Sequence, residues 1–252
     1  MKLDALSRAA LSGAPAAGRP PLRFYLTQAL LLALSAIALS VVFHVTRWDL
    51  QLATPYYDAV NQTFPWRYAW ISKYFIHRYL KYTLLLTGVT VWIVAAWTTL
   101  RPRASGFFAT HRRRWWFVAW CFVAVPIVIG ILRRLSPMHC PWEVTDFGGY
   151  APYFDLWSAA PAGIRAGHCF PAAFVASGSW LLGFALLWYP EHKGRSAIVG
   201  LLALALSFAL GWVQQMRGAH FLSHTLWSLW VSWAVVVLLH AATRVWREPG
   251  AA

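Results

Sequence analysis

Residues 24–45 read FYLTQALLLALSAIALSVVFHV, and this run decides the fold. It contains no Asp, Glu, Lys or Arg, and a helix over it crosses the ~30 Å hydrocarbon layer of a bilayer. It is too long for the apolar part of a signal peptide, so it reads as a retained transmembrane helix. Further apolar runs follow at about 82–100, 115–132, 170–189, 196–214 and 222–241. Each approaches the ~20 residues that a spanning helix needs. The expected fold is all-α: a six-helix transmembrane bundle over residues 23–242, with a disordered tail at 1–22 and a second tail at 243–252.

Composition points the same way. Of 252 residues, 59% are hydrophobic and 12% charged, with a mean hydropathy of +0.49. A soluble domain needs more charge to cover its surface, whereas a membrane domain meets lipid there. Seventeen Trp and ten Tyr fit the aromatic belts at the two interfaces. The net charge of +14 does not indicate nucleic acid. The basic residues lie between apolar runs rather than along one stripe, where they set topology and meet anionic headgroups.

Their distribution orients the chain. Thirteen of the 22 Lys and Arg residues fall on one side in short segments. These are the N-terminal tail, the connection after the second run, the 190–195 turn and the C-terminal tail. The other nine lie mostly in two longer loops, which count for less. Both termini are therefore expected in the cytoplasm, with the loops at 46–81 and 133–169 and the 215–221 turn outside. The first loop interleaves aromatic and basic residues at helical spacing, as an interfacial helix does. The second is rich in Pro, Gly and aromatics, and long loops of that kind are commonly lids or binding loops.

Three segments carry polar groups to the outer face: RRLSPMHCPW (133–142), RAGHCFPAAFVASGSW (165–180) and QQMRGAHFLSHTLW (214–227). In the third, Arg217, His220 and His224 recur at i, i+3 and i+7, which places them on one face of a continuous helix. Arg133 and Arg134 close the third run. Isolated histidines near run ends, namely His44, His77, His192 and His240, read as interfacial residues. Cys140 and Cys169 each adjoin a histidine at opposite ends of one loop. An oxidising compartment would let them bond, closing about 30 residues for a gain of ~3 kcal/mol. Cys121 stands apart, and the chain has no Cys-x-x-Cys pair for structural zinc.

The order and spacing of these segments resemble the type 2 phosphatidic acid phosphatase family, whose members carry Lys-x6-Arg-Pro, Pro-Ser-Gly-His and Ser-Arg-x5-His-x3-Asp on six helices. Arg133 stands at the family's Lys, with six residues between it and Cys140-Pro141, so Cys replaces the first Arg. Pro171 opens the middle motif, but Ala172, Ala173 and Phe174 replace Ser, Gly and His. Gln214 stands at the family's second Arg, with Arg217 one turn closer. His220 matches the nucleophile, and His224 stands at the Asp.

The resemblance implies an inner-membrane enzyme of bacterial type, with its site facing the periplasm or outside. It acts on a phosphorylated lipid, a monophosphate or diphosphate, through a phosphohistidine. Arg133, Arg134 and Arg217 would bind the phosphate, since guanidinium suits phosphate oxygens. His220 would attack phosphorus and His224 would fix its tautomer. His168, or else His139, would replace the proton donor that Phe174 cannot be. No cofactor or metal is implied, and membrane lipids are the expected surroundings. Two alternatives come from other classes: an inactive relative that binds phosphorylated lipid, and a haem protein using paired histidines.

Overall fold

A computed structural model describes residues 20–101 and 111–243. The tails expected at 1–22 and 243–252 lie almost wholly outside the described residues. The described chain is all-helical, and five of its helices are long and apolar enough to cross a membrane: α1 (Leu22–Val45), α3 (Ile71–Leu100), α4 (Arg112–Leu135), α6 (Lys193–Met216) and α7 (Leu222–Thr243). This is a multi-pass membrane protein. A short helix, α2 (Trp48–Ala53), and isolated 3-10 turns fill the loops.

Where the side chains point follows from the solvent. Along α1, Leu30, Leu34 and Ile37 are 58%, 54% and 60% exposed. In water such a surface would drive aggregation; in lipid it is matched. Helices in lipid gain little from the hydrophobic effect between themselves, so polar bonds and close packing hold them. Two indoles of α7 tie α1 down: Trp230 donates to the Leu32 carbonyl at 2.8 Å and Trp233 to Gln28 at 2.8 Å. At Gly211 the backbones of α6 and α7 approach closely, and a Cβ there would come within 2.2 Å of Thr225. The central helix is α4, whose Phe117, Cys121, Val125 and Ile129 are fully buried at the fourfold spacing of one helix face.

The fourth run departs from expectation. Instead of a membrane-length helix over 170–189, residues Ala176–Trp188 form α5, a broken series of α and 3-10 turns. Several of its bonds span three residues, as from Leu181 N–H to the Gly178 carbonyl at 3.0 Å. The stretch contains Gly178 and Gly183 and is bounded by Pro171 and Pro190, all poor helix formers. Irregular backbone is tolerated at membrane depth where protein surrounds it, and α5 is mostly buried. Serines join it to α7: Ser179 meets Ser232 at 2.7 Å. Its flanks are pinned to opposite ends of α4. Arg133 donates to the His168 carbonyl at 2.7 Å, and Arg114 to the Leu187 carbonyl at 2.5 Å. The chain between them thus runs the length of α4.

The second run also differs, because its helix begins at Ile71 rather than near 82. Its first ten residues, Ile71–Leu80, are π-helical and lead directly into the α-helical Lys81–Leu100. The stretch expected to lie along the interface is therefore partly the start of α3. The remaining loops pack as one cap. Leu50, Phe64, Val144, Phe147 and Phe221 form a buried apolar cluster drawn from both long loops and the α6–α7 turn. Asp49 sits beneath it, accepting from the Ser223 N–H at 2.9 Å, the Ser223 hydroxyl at 2.5 Å and the Tyr153 hydroxyl at 3.2 Å. It caps the first turn of α7 from another part of the chain, as an N-terminal carboxylate should. Burial nevertheless raises its pKa from 3.8 to about 6.

Candidate functional site

Four pieces of chain meet under this cap: the end of α4, the loop segment 165–171, the α6–α7 turn and the start of α3. The turn is the pivot. α6 ends at Met216 and α7 begins at Leu222, so the turn expected at 215–221 is present and Arg217 and His220 lie in it rather than on a helix face shared with His224. Gly218 stands within this turn, with φ +70, in a conformation that glycine alone adopts freely. A Cβ there would also strike the Phe64 ring at 2.4 Å. The Gln214 carbonyl accepts from the N–H groups of Ala219 and His220 at 2.8 and 3.4 Å, so the turn is closed internally.

His220 is almost fully buried at the centre of this arrangement. Its Nδ1 lies 3.5 Å from the sulfur of Cys169, which also lies 3.1 Å from the Ala219 carbonyl oxygen. Cys169 is bonded to Cys140, with Cα atoms 5.3 Å apart, so the disulfide clamps the loop directly beside the imidazole. Burial lowers the His220 pKa from 6.5 to about 3, and the charges of Arg133, Arg217 and His77 push the same way. His220 is therefore neutral at physiological pH, as a nucleophile must be.

Two guanidiniums flank it. Arg133 is oriented by its bond to the His168 carbonyl. Arg217 is half-buried and held by the Gln214 side-chain oxygen at 3.1 Å, leaving its Nε without a partner among the described residues. Burial and the nearby Arg67 lower the Arg217 pKa. Arg67 itself stacks over Trp142, 4.3 Å from the ring centroid. Among the described residues no carboxylate forms an ion pair with Arg133 or Arg217; the pairs found are His44–Asp155 and Arg114–Glu191. A cationic cluster without a carboxylate partner among the described residues is suited to an anion.

The other expected site residues are placed differently. His224 is fully buried, but its ring centroid is 5.9 Å from that of His220. Neither of its nitrogens has a hydrogen-bond partner among the described residues, so it does not fix the His220 tautomer. The rings of Phe170 and Phe221 flank it instead, each 5.4 Å away. Arg217 and His220 lie in the turn before α7, so the three residues do not share one helix face. The His168 side chain is exposed, and only its carbonyl serves the cluster. Arg134, exposed as Arg133 is, stands on the next step of α4, about 100° round from it. His139 braces the loop, with Nε2 2.9 Å from the Arg165 carbonyl.

Cys169, His220 and His224 have ligand atoms within 4.8 Å of one another. In the disulfide, however, Cys169 has no thiolate to offer, and two imidazoles alone are a poor metal site. Sequence spacing gave no sign of His77, Arg67 or Asp49. All three enter through loop packing and the π-helical start of α3. Comparisons with protein-family models, curated proteins and solved structures found no match to this chain.

Proposed function

We propose that this protein is an integral membrane phosphatase that acts on a lipid phosphate or diphosphate through a phosphohistidine at His220, in the manner of the type 2 phosphatidic acid phosphatases that its motifs resemble. One observation carries the reading: a buried, neutral imidazole lies within electrostatic reach of two guanidiniums that have no carboxylate partner among the described residues. With Nδ1 against the Cys169 sulfur, the free ring edge is Nε2, which attacks phosphorus. Arg133 and Arg217 stabilise the equatorial oxygens as charge redistributes, and water then hydrolyses the phosphohistidine.

In this reading α5 is the sixth crossing, and both termini lie in the cytoplasm of a bacterial-type inner membrane. The Cys140–Cys169 disulfide supports an oxidising outer face for the site. The test is release of inorganic phosphate from a panel of lipid monophosphates and diphosphates by the purified protein. Turnover by the wild type that is abolished in His220→Ala is expected; turnover unaffected by that substitution would overturn it.

One observation favours a second reading, an inactive relative that binds phosphorylated lipid. Phe174 packs with Leu84 and Leu210 at the position where the resemblance calls for a proton donor. Saturable lipid-phosphate binding without any phosphate release would select it. The haem alternative gains nothing, because His220 and His224 lie close along one segment rather than facing each other across a haem.

A further inference from the structure

The leaving oxygen of an alkyl phosphate departs as a strong base unless a proton reaches it. Phe174 is apolar, the His168 imidazole is exposed and His139 is engaged with the Arg165 carbonyl, so none of the residues considered from the sequence is placed to deliver one. A third imidazole occupies that place. His77 lies face to face with the Phe174 ring, with centroids 4.7 Å and planes 22° apart. Its Nδ1 is buried without a hydrogen-bond partner among the described residues, an expensive arrangement unless a ligand meets it. Arg217 and His220 both lie within electrostatic reach of the ring.

The backbone that presents His77 is itself unusual. It stands inside the ten-residue π-helical start of α3, and π turns are rare and concentrate at functional sites. Their i→i+5 bonding shifts the register of Ile71–Leu80 relative to an α-helix continuing from Lys81. Ser72 braces this stretch by donating to the carbonyls of Trp66 and Ala69.

We infer that His77 is the proton donor to the leaving group, replacing from α3 a function that the Phe174 segment has lost. The inference rests on the phosphatase reading above. As His220 Nε2 forms its bond to phosphorus, the bond from phosphorus to the ester oxygen breaks. That oxygen takes the proton from His77, which the phosphate monoanion of the substrate has protonated on binding and which becomes neutral. In the second step a water attacks the phosphohistidine and gives a proton to His77. Inorganic phosphate leaves as the monoanion, taking that proton back from His77, and both histidines regain their starting neutral states. Phe174 is then the apolar platform that positions the donor ring.

The experiment measures leaving-group dependence with the purified full chain, comparing an alkyl phosphate with 4-nitrophenyl phosphate, whose leaving group needs no proton. His77→Ala and His77→Gln should each lower turnover of the alkyl ester ~10²-fold or more. Turnover of the nitrophenyl ester should change little, and rapid-quench trapping should still give phosphohistidine from it. The Gln variant preserves side-chain bulk against Phe174, which separates chemistry from folding. Equal losses on both esters, or no loss, would overturn the assignment to His77 alone, leaving His220 in place. A wild type that hydrolyses only the nitrophenyl ester would overturn it too. A wild type with no His220-dependent turnover at all would remove the phosphatase reading and this inference together.

Discussion

The sulfur of Cys169 lies 3.5 Å from Nδ1 of His220, so the disulfide to Cys140 is part of the wall of the candidate site. The same bond closes a loop with a sequence separation of 29 residues. Chain entropy assigns a closure of that length ~3 kcal/mol or slightly more. A double Cys140→Ser, Cys169→Ser variant should therefore unfold at a clearly lower temperature in detergent, and should lose turnover at temperatures where it is still folded. Unchanged turnover in a folded variant would show that the disulfide braces the loop without serving His220.

Arg133 and Arg217 should not be interchangeable with other cations. Removing one fixed donor from a charge-stabilising site costs about 10²–10³-fold in turnover. Arg217→Gln should fall in that range, and Arg217→Lys should recover only part of it, because an ammonium cannot fork to two oxygens. Arg134→Gln, on the exposed side of α4, should remain near wild type. Steady-state phosphate release from one lipid monophosphate distinguishes the three.

The pH response of His220 has a definite sign. Its folded-state pKa, about 3, lies below the unfolded value of ~6.5. Its neutral form therefore contributes stability that is complete above pH ~6.5 and is lost as pH falls towards 3. The nucleophile stays neutral through that window, so any acid limb of kcat/KM between pH 4 and 7 belongs to another group. A limb that follows His220 protonation, read by ring NMR in the same window, would contradict this.

Asp49 has the opposite linkage. Its folded-state pKa of about 6 exceeds the unfolded value of ~3.9. The neutral carboxyl is the favoured form, and its contribution is whole below pH ~4 and lost as pH rises through 6. Infrared spectra should contain a protonated-carboxyl band that titrates near pH 6 and vanishes in Asp49→Asn. Asp49→Ala should cost ~1–3 kcal/mol, because it strands the buried Ser223 N–H at the start of α7.

Topology can be read directly. Reporter fusions after Tyr150 and after Lys193 flank α5 and should report opposite sides of the membrane, with Tyr150 outside. The same side for both would mean that Ala176–Trp188 does not cross.

Much of this protein is determined by sequence alone. Uninterrupted apolar length such as Phe24–Val45 commits a segment to lipid, because an unpaired backbone is prohibitive there and a helix satisfies it locally. Arg133, Arg217 and His220 were likewise legible as one group at one end of the apolar runs, since each adjoins the end of such a run. Length and apolarity could not reveal that α5 is broken, because its irregular turns are sheltered by neighbouring helices that the sequence does not name. The turn at 215–221 was legible between two apolar runs, but the i, i+3, i+7 spacing could not show that it would set the His220 and His224 rings 5.9 Å apart. His77 is the clearest case. In sequence it is one histidine among the aromatics of YFIHRYL (74–80), and only the π-helical register and the packing of α3 set its ring on Phe174 beside the cationic site. Local chemistry chose which residues enter the membrane, and long-range packing decided which of their polar groups meet.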